Sequence, residues 1–367
     1  MRRIVWLCLL AAFASSAPAM ELRVDVLLDG LDSPWGLELL PDGRMLMTER
    51  AGRLWLLDAQ GRKLSQIRNV PPAFVKLQGG LFDVVHDPAF ATNSLVYLSL
   101  ARGEQRHNTT RVVRARLGAG ALEDVTVIFD GKDKGTAVHY GARLGFLPDN
   151  TLLVTVGEGA EYREDAQRLG AMLGKIARIN TDGSVPKDNP FFSRDGADPR
   201  IWSYGHRNQQ GLAIADGFVF STEHGPMGGD ELNVISPGAN YGWPIATHGL
   251  DYTDGRISPF ETYPGVTEPI VFWTPSPGLG GVAIYHGAMF PEWDGDALVG
   301  AMGGQHLKLV DLEGTRVVGE RKLLDDRKAR FRQVKVAPDG SVLAVIDAID
   351  NAPNTGQLLR ITRAAPH

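Results

Sequence analysis

Residues 35–57 read WGLELLPDGRMLMTERAGRLWLL, so that three short apolar runs are separated by Pro41-Asp42-Gly43 and by Ala51-Gly52. Apolar runs of five or six residues bounded by turn residues are typical of β-strands. Two tight turns in succession predict an antiparallel meander, and the recurrence of this unit along the chain indicates the fold.

The unit returns twice, at residues 143–156 around Pro148-Asp149-Asn150 and at residues 333–362 around Pro338-Asp339-Gly340. The first and last of these turns lie about 300 residues apart, which corresponds to about five intervals of roughly 60 residues. Seven smaller blades or a large sandwich fit this spacing less well. The sequence therefore predicts an all-β protein, a six-bladed β-propeller of four-stranded antiparallel blades.

The ends of the ring and the number of domains can also be predicted. Residues 22–28 alternate in the manner of a strand, and we expect this strand to complete the last blade and close the ring. With 43 glycines and 22 prolines among 367 residues, short elements are favoured over long helices. No linker or low-complexity segment divides residues 20–367, which predicts a single propeller domain.

Residues 1–19 have the three parts of a secretory signal peptide. They begin with Met1-Arg2-Arg3, continue with an apolar run over residues 4–12 and end with Ala17-Pro18-Ala19. The apolar run is too short to cross a bilayer, so we expect cleavage after Ala19 and a periplasmic or secreted protein.

The mature chain excludes several classes of function. Loss of residues 1–19 takes the net charge from −5 to −7, and no basic tract remains to indicate nucleic acid or a membrane surface as partner. Cys8, the only cysteine, leaves with the signal, which excludes thiolate catalysis and disulfides. Phosphate-loop, dinucleotide-binding, serine-hydrolase and zinc-protease motifs are missing, so nicotinamide and ATP chemistry are disfavoured.

Polar residues flanked by glycine recur in the predicted loops. Each is as compatible with an ordinary turn as with a ligand contact, and their number favours binding. They lie at residues 78–80, 139–141, 157–159, 205–208, 223–226 and 240–243.

Longer runs around these residues resemble the soluble aldose sugar dehydrogenases, relatives of soluble quinoprotein glucose dehydrogenase. The resemblance covers nearly the whole mature chain. It implies a six-bladed propeller that holds pyrroloquinoline quinone (PQQ) and calcium at one mouth and oxidises the anomeric carbon of aldoses to lactones. The runs are QGGLFDVV (78–85), HYGARL (139–144), GKIARINTDGSVPKDNP (174–190), GHRNQQG (205–211) and EHGPMGGDE (223–231).

The resemblance gives His139 the role of the base that accepts the proton of the anomeric hydroxyl. An imidazole suits this role because its ordinary pKa is about 6.5. Taken without the resemblance, His139 is more often a loop or core histidine. Glu158 falls where relatives carry an aspartate and is expected to orient His139, with a surface carboxylate in a turn as the alternative.

PQQ carries three carboxylates, so an acidic protein that holds it must bring basic side chains to one place. By the resemblance, Arg207 and Asn208 form a cofactor-binding pair, and Arg207 also stabilises negative charge as hydride arrives. The alternative for Arg207 is a solvated loop residue. Gln78 and Tyr252 match further cofactor contacts.

Arg330 and Arg332 match paired basic residues that contact the cofactor in relatives. They stand two residues apart in a predicted strand, so their side chains point to one face. Ordinary surface arginines on an edge strand are the alternative.

Calcium prefers oxygen ligands, and turn carbonyls can supply them. The resemblance implies that the carbonyls of Gly225 and Pro226 hold a calcium ion that also touches PQQ. It also implies that Glu231, through its carboxylate, and Tyr241, through its backbone oxygen, hold a second, structural ion. A Gly-Pro turn and a capping glutamate are the alternatives.

One segment departs from the family pattern. Relatives place a basic residue near PQQ after the strand at residues 297–301, where this chain reads Met302-Gly303-Gly304-Gln305-His306. Lys308 is the nearest cation. If its side chain faces the other way, one carboxylate contact is expected to be lost or replaced by backbone amides.

The leading hypothesis is a monomeric aldose dehydrogenase that passes electrons to a soluble acceptor. The first alternative is a propeller that binds calcium without a cofactor and acts as a carbohydrate-binding or interaction module. The second is a calcium-dependent lactonase or esterase. The sugar specificity is expected to reside in loops such as residues 275–281, whose shape the sequence does not define.

Overall fold

A computed structural model describes residues 21–350 and 352–364, so the predicted signal peptide at residues 1–19 and Cys8 lie outside the described residues. The described part of the chain forms 24 strands, one short α-helix and three 3₁₀ turns. The strands are β1 (Leu22–Leu31), β2 (Pro34–Leu39), β3 (Met45–Glu49), β4 (Arg53–Leu57), β5 (Lys63–Ile67), β6 (Leu81–His86), β7 (Leu95–Glu104), β8 (His107–Leu117), β9 (Leu122–Asp130), β10 (Gly141–Phe146), β11 (Leu152–Val156), β12 (Lys175–Ile179), β13 (Ile201–Tyr204), β14 (Gln209–Ala215), β15 (Phe218–Glu223), β16 (Asp230–Val234), β17 (Val271–Trp273), β18 (Leu279–Ile284), β19 (Ala297–Ala301), β20 (His306–Glu313), β21 (Arg316–Leu323), β22 (Ala329–Val336), β23 (Val342–Ile349) and β24 (Gly356–Arg363). The helix is α1 (Phe90–Asn93), and the 3₁₀ turns are Arg163–Ala166, Pro291–Trp293 and Asp325–Arg327.

The strands form six four-stranded antiparallel sheets, which confirms the predicted six-bladed propeller. Blades one to five are each built from four consecutive strands, from β2–β5 through β18–β21. The sixth blade combines β22, β23 and β24 with β1 from the start of the chain. In that blade Val24 lies opposite Ile361, so the predicted closing strand is also confirmed.

The Pro-Asp turns join the first and second strands of three blades by one shared geometry. The third turn residue has a left-handed backbone in each case, with φ of 85° at Gly43, 64° at Asn150 and 80° at Gly340. Glycine and asparagine tolerate this conformation, which explains why they occupy the position. The aspartate side chain closes the turn, as Asp42 does by accepting the backbone N–H of Arg44 at 3.0 Å.

The hydrophobic core is divided among the contacts between blades. Six clusters of buried apolar residues each join one neighbouring pair of blades around the ring. A seventh, which includes Trp35, Phe82 and Tyr140, joins the first three blades near the axis. Across residues 21–350 and 352–364, the model has no helix with the length and apolar character of a membrane span.

The first strand of each blade is the innermost. This is shown by Arg143 of β10, which reaches Asp83 of β6 and the backbone carbonyls of Gln210 in β14 and Arg332 in β22. We call the end of the ring at which the inner strands begin the upper mouth. The loops that lead into inner strands meet there, together with the loops between second and third strands.

Candidate functional site

The predicted site residues converge at the upper mouth from three neighbouring blades. Gln78 lies in the loop before β6, His139 in the loop before β10, and Arg207 and Asn208 in the loop before β14. Residues far apart in sequence meet because each inner strand starts beside the axis of the ring. The glycine-flanked motifs of the sequence are thus brought to one place.

His139 is buried and is held on two sides. Its backbone N–H donates to Oε1 of Gln78 at 2.8 Å, and its Nδ1 lies 3.2 Å from Oε1 of Glu158. Glu158 is completely buried, and its other carboxylate oxygen has no hydrogen-bond partner among the described residues. Burial lowers the pKa of His139, and the nearby charge of Arg207 adds to this effect against the opposing hydrogen bond to Glu158.

Lys134 supports the loop that carries His139, although no sequence motif pointed to this residue. Its buried ammonium donates to the backbone carbonyls of Thr136 at 2.7 Å and Val138 at 2.8 Å, and to Oδ1 of Asn108 at 3.2 Å. Burial lowers the pKa of Lys134 to about 7, against the opposing charge of Glu158, which favours the ammonium. The hydrogen bonds of this one side chain therefore hold the loop before His139 together.

Gly157 shows what the glycines beside polar residues do here. A Cβ atom at Gly157 would lie 2.3 Å from the carbonyl oxygen of His139, so no other residue fits without moving the loop. The sequence predicted that such glycines permit close approach to a ligand. At this position, glycine permits close approach of one loop to another, and this contact brings Glu158 beside His139.

Arg207 lies against the aromatic and carbonyl groups of the fourth blade. Its backbone N–H donates to the carboxylate of Glu223, and its Nη1 donates to the carbonyl of Gly225 at 2.8 Å. Its Nη2 lies 3.5 Å from the hydroxyl of Tyr252, and the guanidinium is 5.3 Å from the ring centre of Trp243. Its Nε is buried without a partner among the described residues, so the solvated-loop alternative is wrong.

The side chain of the neighbouring Asn208 forms a hydrogen bond with a backbone group. Its Oδ1 accepts the N–H of Gly141, the first residue of β10, at 3.1 Å. Asn208 therefore fixes the third blade against the fourth at the level of His139. Its predicted contact with a cofactor remains a prediction.

Arg330 and Arg332 lie on the same side of β22, as predicted. Both pair with Oδ2 of Asp347, at 3.6 Å and 3.1 Å respectively. Arg332 also donates from Nη1 to Oε1 of Gln210 at 2.7 Å, across the axis. β22 is an edge strand of its sheet, at the edge that faces the axis. Arg332 on this strand is buried, so the alternative of an ordinary surface arginine is wrong for Arg332.

Lys308 faces away from the mouth. Its Nζ donates to Oε1 of Glu320 at 3.0 Å and lies 5.0 Å from the ring centre of Trp273, on the outer part of the blades. Lys308 therefore does not replace the basic residue that the family carries after β19.

Glu231 lies where a cation would relieve electrostatic strain. Burial and the nearby charge of Glu223 raise the pKa of Glu231 well above its usual range, and Glu268 adds to the effect. Two small cavities of about 10 Å³ each are lined by Glu231 and Tyr241, among other residues. Each has room for about one water molecule or ion. The hydroxyl of Tyr241 already donates to the carbonyl of Val234, at 2.7 Å.

The Gly225-Pro226 turn is closed by its own hydrogen bonds. The N–H of Gly225 donates to Oδ1 of Asp230 at 2.9 Å, and the carbonyl of Gly225 accepts from Arg207. A calcium ion bound to the carbonyl oxygen of Gly225 would use the second lone pair of that oxygen. The ion would then lie beside the positively charged guanidinium of Arg207. Within the described residues, no group of three or more His, Cys, Asp or Glu side chains is placed to hold a metal ion, so a calcium site here would depend on backbone oxygens.

Together these features define a six-bladed propeller whose upper mouth combines a buried His–Glu pair with several arginines. Such a mouth can hold a small anionic ligand and accept a proton beside it. The chain belongs to the Glucose / Sorbosone dehydrogenase family, whose model matches residues 31–360. It is therefore a member of a family of sugar dehydrogenases.

Individual relatives extend over nearly the whole chain. The aldose sugar dehydrogenase YliI of Escherichia coli K12 is 35% identical over 368 residues, which cover 98% of this chain and 97% of that protein. A crystal structure of a glucose dehydrogenase superposes with a TM-score of 0.89 at 40% identity, covering 94% of this chain and 100% of the other. The PQQ-bound aldose sugar dehydrogenase of Streptomyces coelicolor superposes with a TM-score of 0.76 at 29% identity, covering 94% and 99%.

Proposed function

We propose that this chain is an exported aldose dehydrogenase that depends on PQQ and calcium and oxidises the C1 hydroxyl of an aldose to a lactone. The observation that carries the proposal is the buried pair of His139 and Glu158 beside Arg207 at the upper mouth. The PQQ-bound structure of a relative, which this chain matches over nearly its whole length, supports the choice of cofactor.

His139 has the properties of the base in this reaction. Its Nδ1 faces Glu158, so Nδ1 carries the proton and Nε2 is left as the acceptor. Because burial lowers the pKa, the ring is neutral at pH 7 and can accept the proton of the anomeric hydroxyl. The fully buried carboxylate of Glu158 then stabilises the imidazolium that forms.

The arginines at the mouth fit a quinone with three carboxylates. When bound, PQQ supplies the acceptor for the hydride that leaves C1. Arg207 and Arg332 each have a buried Nε without a partner among the described residues, which leaves hydrogen-bonding capacity for an anion. Gln78, Asn208, Tyr252 and Arg330 are the other residues that we expect to border it.

Calcium would have two places in this site. The carbonyls of Gly225 and Pro226 would hold the ion that orients the cofactor, and Glu231 with the backbone oxygen of Tyr241 would hold a structural ion. The raised pKa of Glu231 and the small cavities beside it support the second place.

A second candidate is a propeller that binds calcium and sugar without the quinone. It is favoured by the segment Met302–His306, which lacks the family's basic residue, and by Lys308, which faces Glu320 instead.

Under the first proposal, residues 1–19 direct export, electrons pass to a soluble acceptor and the protein acts as a monomer.

The test is a titration of purified mature apoprotein with PQQ, with calcium or with EDTA, followed by protein fluorescence and by dye reduction with glucose and other aldoses. We expect PQQ binding at micromolar concentration or below and turnover that needs both additions. Glu231→Gln is expected to lower the thermal midpoint in calcium to that of the wild type in EDTA.

Other outcomes separate the alternatives. An absence of PQQ binding together with calcium-dependent sugar binding would favour the module without a cofactor. Hydrolysis of lactones without PQQ would favour the lactonase. Turnover that is equal with calcium and with EDTA would contradict the proposed role of the metal.

A further inference from the structure

The upper mouth offers fewer free positive charges than its arginines suggest. Arg330 and Arg332 share the carboxylate of Asp347, which neutralises one of the two charges. Arg207 is bound through Nη1 to the carbonyl of Gly225. Arg207 keeps its charge beside this neutral carbonyl, so Arg207 contributes one positive charge and the Arg330–Arg332–Asp347 group contributes one more. A further cation at the mouth would strengthen the binding of a ligand with three carboxylates.

The segment after β19 does not supply that cation. Lys308 is paired with Glu320 on the outer part of the blades. His306 binds the carbonyl of Gly304 through Nδ1, and burial lowers its pKa, so the ring is neutral at pH 7. A further cation would therefore have to come from another blade.

Arg50 stands in the turn between β3 and β4, at the upper mouth of the first blade. Its backbone N–H donates to the carbonyl of Ser33 at 3.1 Å, and its carbonyl accepts the N–H of Leu81 at 3.0 Å. A Cβ atom at Gly80 would lie 2.4 Å from that carbonyl, which explains the glycine two residues after Gln78. Arg50 is thereby fixed next to a predicted cofactor contact.

The side chain of Arg50 acts on the arginine pair of the sixth blade. Burial raises the pKa of Asp347, but Arg332, Arg330 and Arg50 together lower it below its usual value. Burial lowers the pKa of Arg332, and the charges of Arg330 and Arg50 lower it further. These directions agree with the backbone placement of Arg50 at the upper mouth, from which its charge acts on both members of the Arg332–Asp347 pair.

Arg50 also lacks partners of its own. The Nε atom of Arg50 is buried and has no hydrogen bond among the described residues. Within those residues, the side chain of Arg50 also forms no ion pair. A buried, unpartnered guanidinium atom is unfavourable unless a ligand satisfies it. Two arginines thus pair with Asp347, and the charge of a third, Arg50, acts on the same carboxylate.

We infer that Arg50 is a further cofactor-binding residue, which contacts a carboxylate of PQQ and replaces the basic residue missing after β19. This inference rests on the proposed function. It assigns the first blade a direct contact with the ligand, in addition to the contacts expected from the second, fourth and sixth blades.

The test measures binding without turnover, by quenching of protein fluorescence with PQQ and with its trimethyl ester. R50Q is expected to raise the Kd for PQQ by about ten-fold, because it removes a charge-assisted hydrogen bond, and R50K by less. The control K76Q removes an equal charge from an exposed residue of the loop that carries Gln78, and a change below about two-fold is expected. The Kd for the ester is expected to be the same in the wild type and in R50Q.

Three results would overturn the inference. Equal weakening by K76Q and R50Q would mean a general effect of charge, and equal weakening of PQQ and of the ester would mean a structural role. If the wild type binds PQQ and neither R50Q nor R50K changes the Kd, Arg50 makes no contact. If the wild type itself binds no PQQ, the proposed function fails together with the inference. The inference fails alone when the wild type binds PQQ and one of the three results above is found.

Discussion

At the scale of single residues, the site is organised around the backbone of His139. This residue has a φ of 49°, in the left-handed region that a side chain with a Cβ rarely occupies. Such a conformation costs about 1–3 kcal/mol and persists only where the surroundings enforce it. Here the enforcing contacts are the hydrogen bond to Gln78 and the lysine that ties the carbonyl of Val138.

We predict that His139→Gln lowers kcat by roughly 10²–10⁴-fold, because glutamine cannot accept the proton. The Kd for PQQ is expected to stay within about two-fold of the wild-type value. In the wild type, kcat/KM should fall as the pH drops below about 6.5, since the imidazole must be unprotonated and burial lowers its pKa from that ordinary value. Steady-state kinetics between pH 4.5 and 8 and a PQQ titration check these expectations.

The control for this prediction is His286→Gln. His286 is exposed, contacts Asp216 and Asp294 and follows the end of β18 opposite to the upper mouth, so its replacement should leave the pH profile unchanged. Unchanged turnover in His139→Gln would remove His139 from the mechanism.

At the scale of elements, the closing strand β1 places its most deeply buried side chain at its C-terminal end. Leu31 is completely buried in the cluster that joins the sixth blade to the first, whereas Val26 on the same strand is 45% exposed. The strand therefore contributes both backbone pairing with β24 and one deeply packed side chain.

Leu31→Ala is expected to lower the free energy of unfolding by about 2–5 kcal/mol, because it leaves a cavity between two blades. Val26→Ala, the matched change on the exposed face, should lower it by no more than about 0.5 kcal/mol. Unfolding in urea measures both variants. Equal effects would mean that β1 does not pack as a member of the sixth blade.

At the scale of the whole molecule, Arg143 fills the axis of the ring. Its side chain is completely buried, pairs with Asp83 at 3.1 Å and donates to backbone carbonyls of the fourth and sixth blades. Trp35 lies 3.9 Å from the guanidinium, measured to the ring centre. Arg143 thus separates the upper mouth from a cavity of about 360 Å³ that is lined by all six inner strands.

We predict that Arg143→Met destabilises the fold by about 3–5 kcal/mol, because Asp83 is left as an uncompensated buried charge. Burial already raises the pKa of Asp83, against the lowering effect of Arg143. The double variant Arg143→Met/Asp83→Asn should recover part of this loss, as unfolding in urea would show. A double variant no more stable than the single one would mean that carbonyl contacts, and not the charge pair, hold the axis.

The sequence and the structure agree where the signal is local. In each Pro-Asp turn the third residue is one that tolerates a left-handed backbone, namely Gly43, Asn150 or Gly340. Three blades could therefore be predicted from turn chemistry alone. The other three blades use different connections, such as the short helix α1 after β6. Their number was inferred from spacing and family resemblance and not from a motif.

What the sequence determined by itself was therefore the strand-and-turn pattern, the closure by the first strand, and the residue types of the candidate site. These depend on neighbours within a few residues, which the chain order specifies directly. The tertiary structure decided which charges face the axis. It turned Lys308 outward, brought the turn of Arg50 to the mouth that holds the Arg332–Asp347 pair, and placed Lys134 against the loop of His139. These outcomes depend on the closing of a ring, because only then do loops from distant parts of the chain share one mouth.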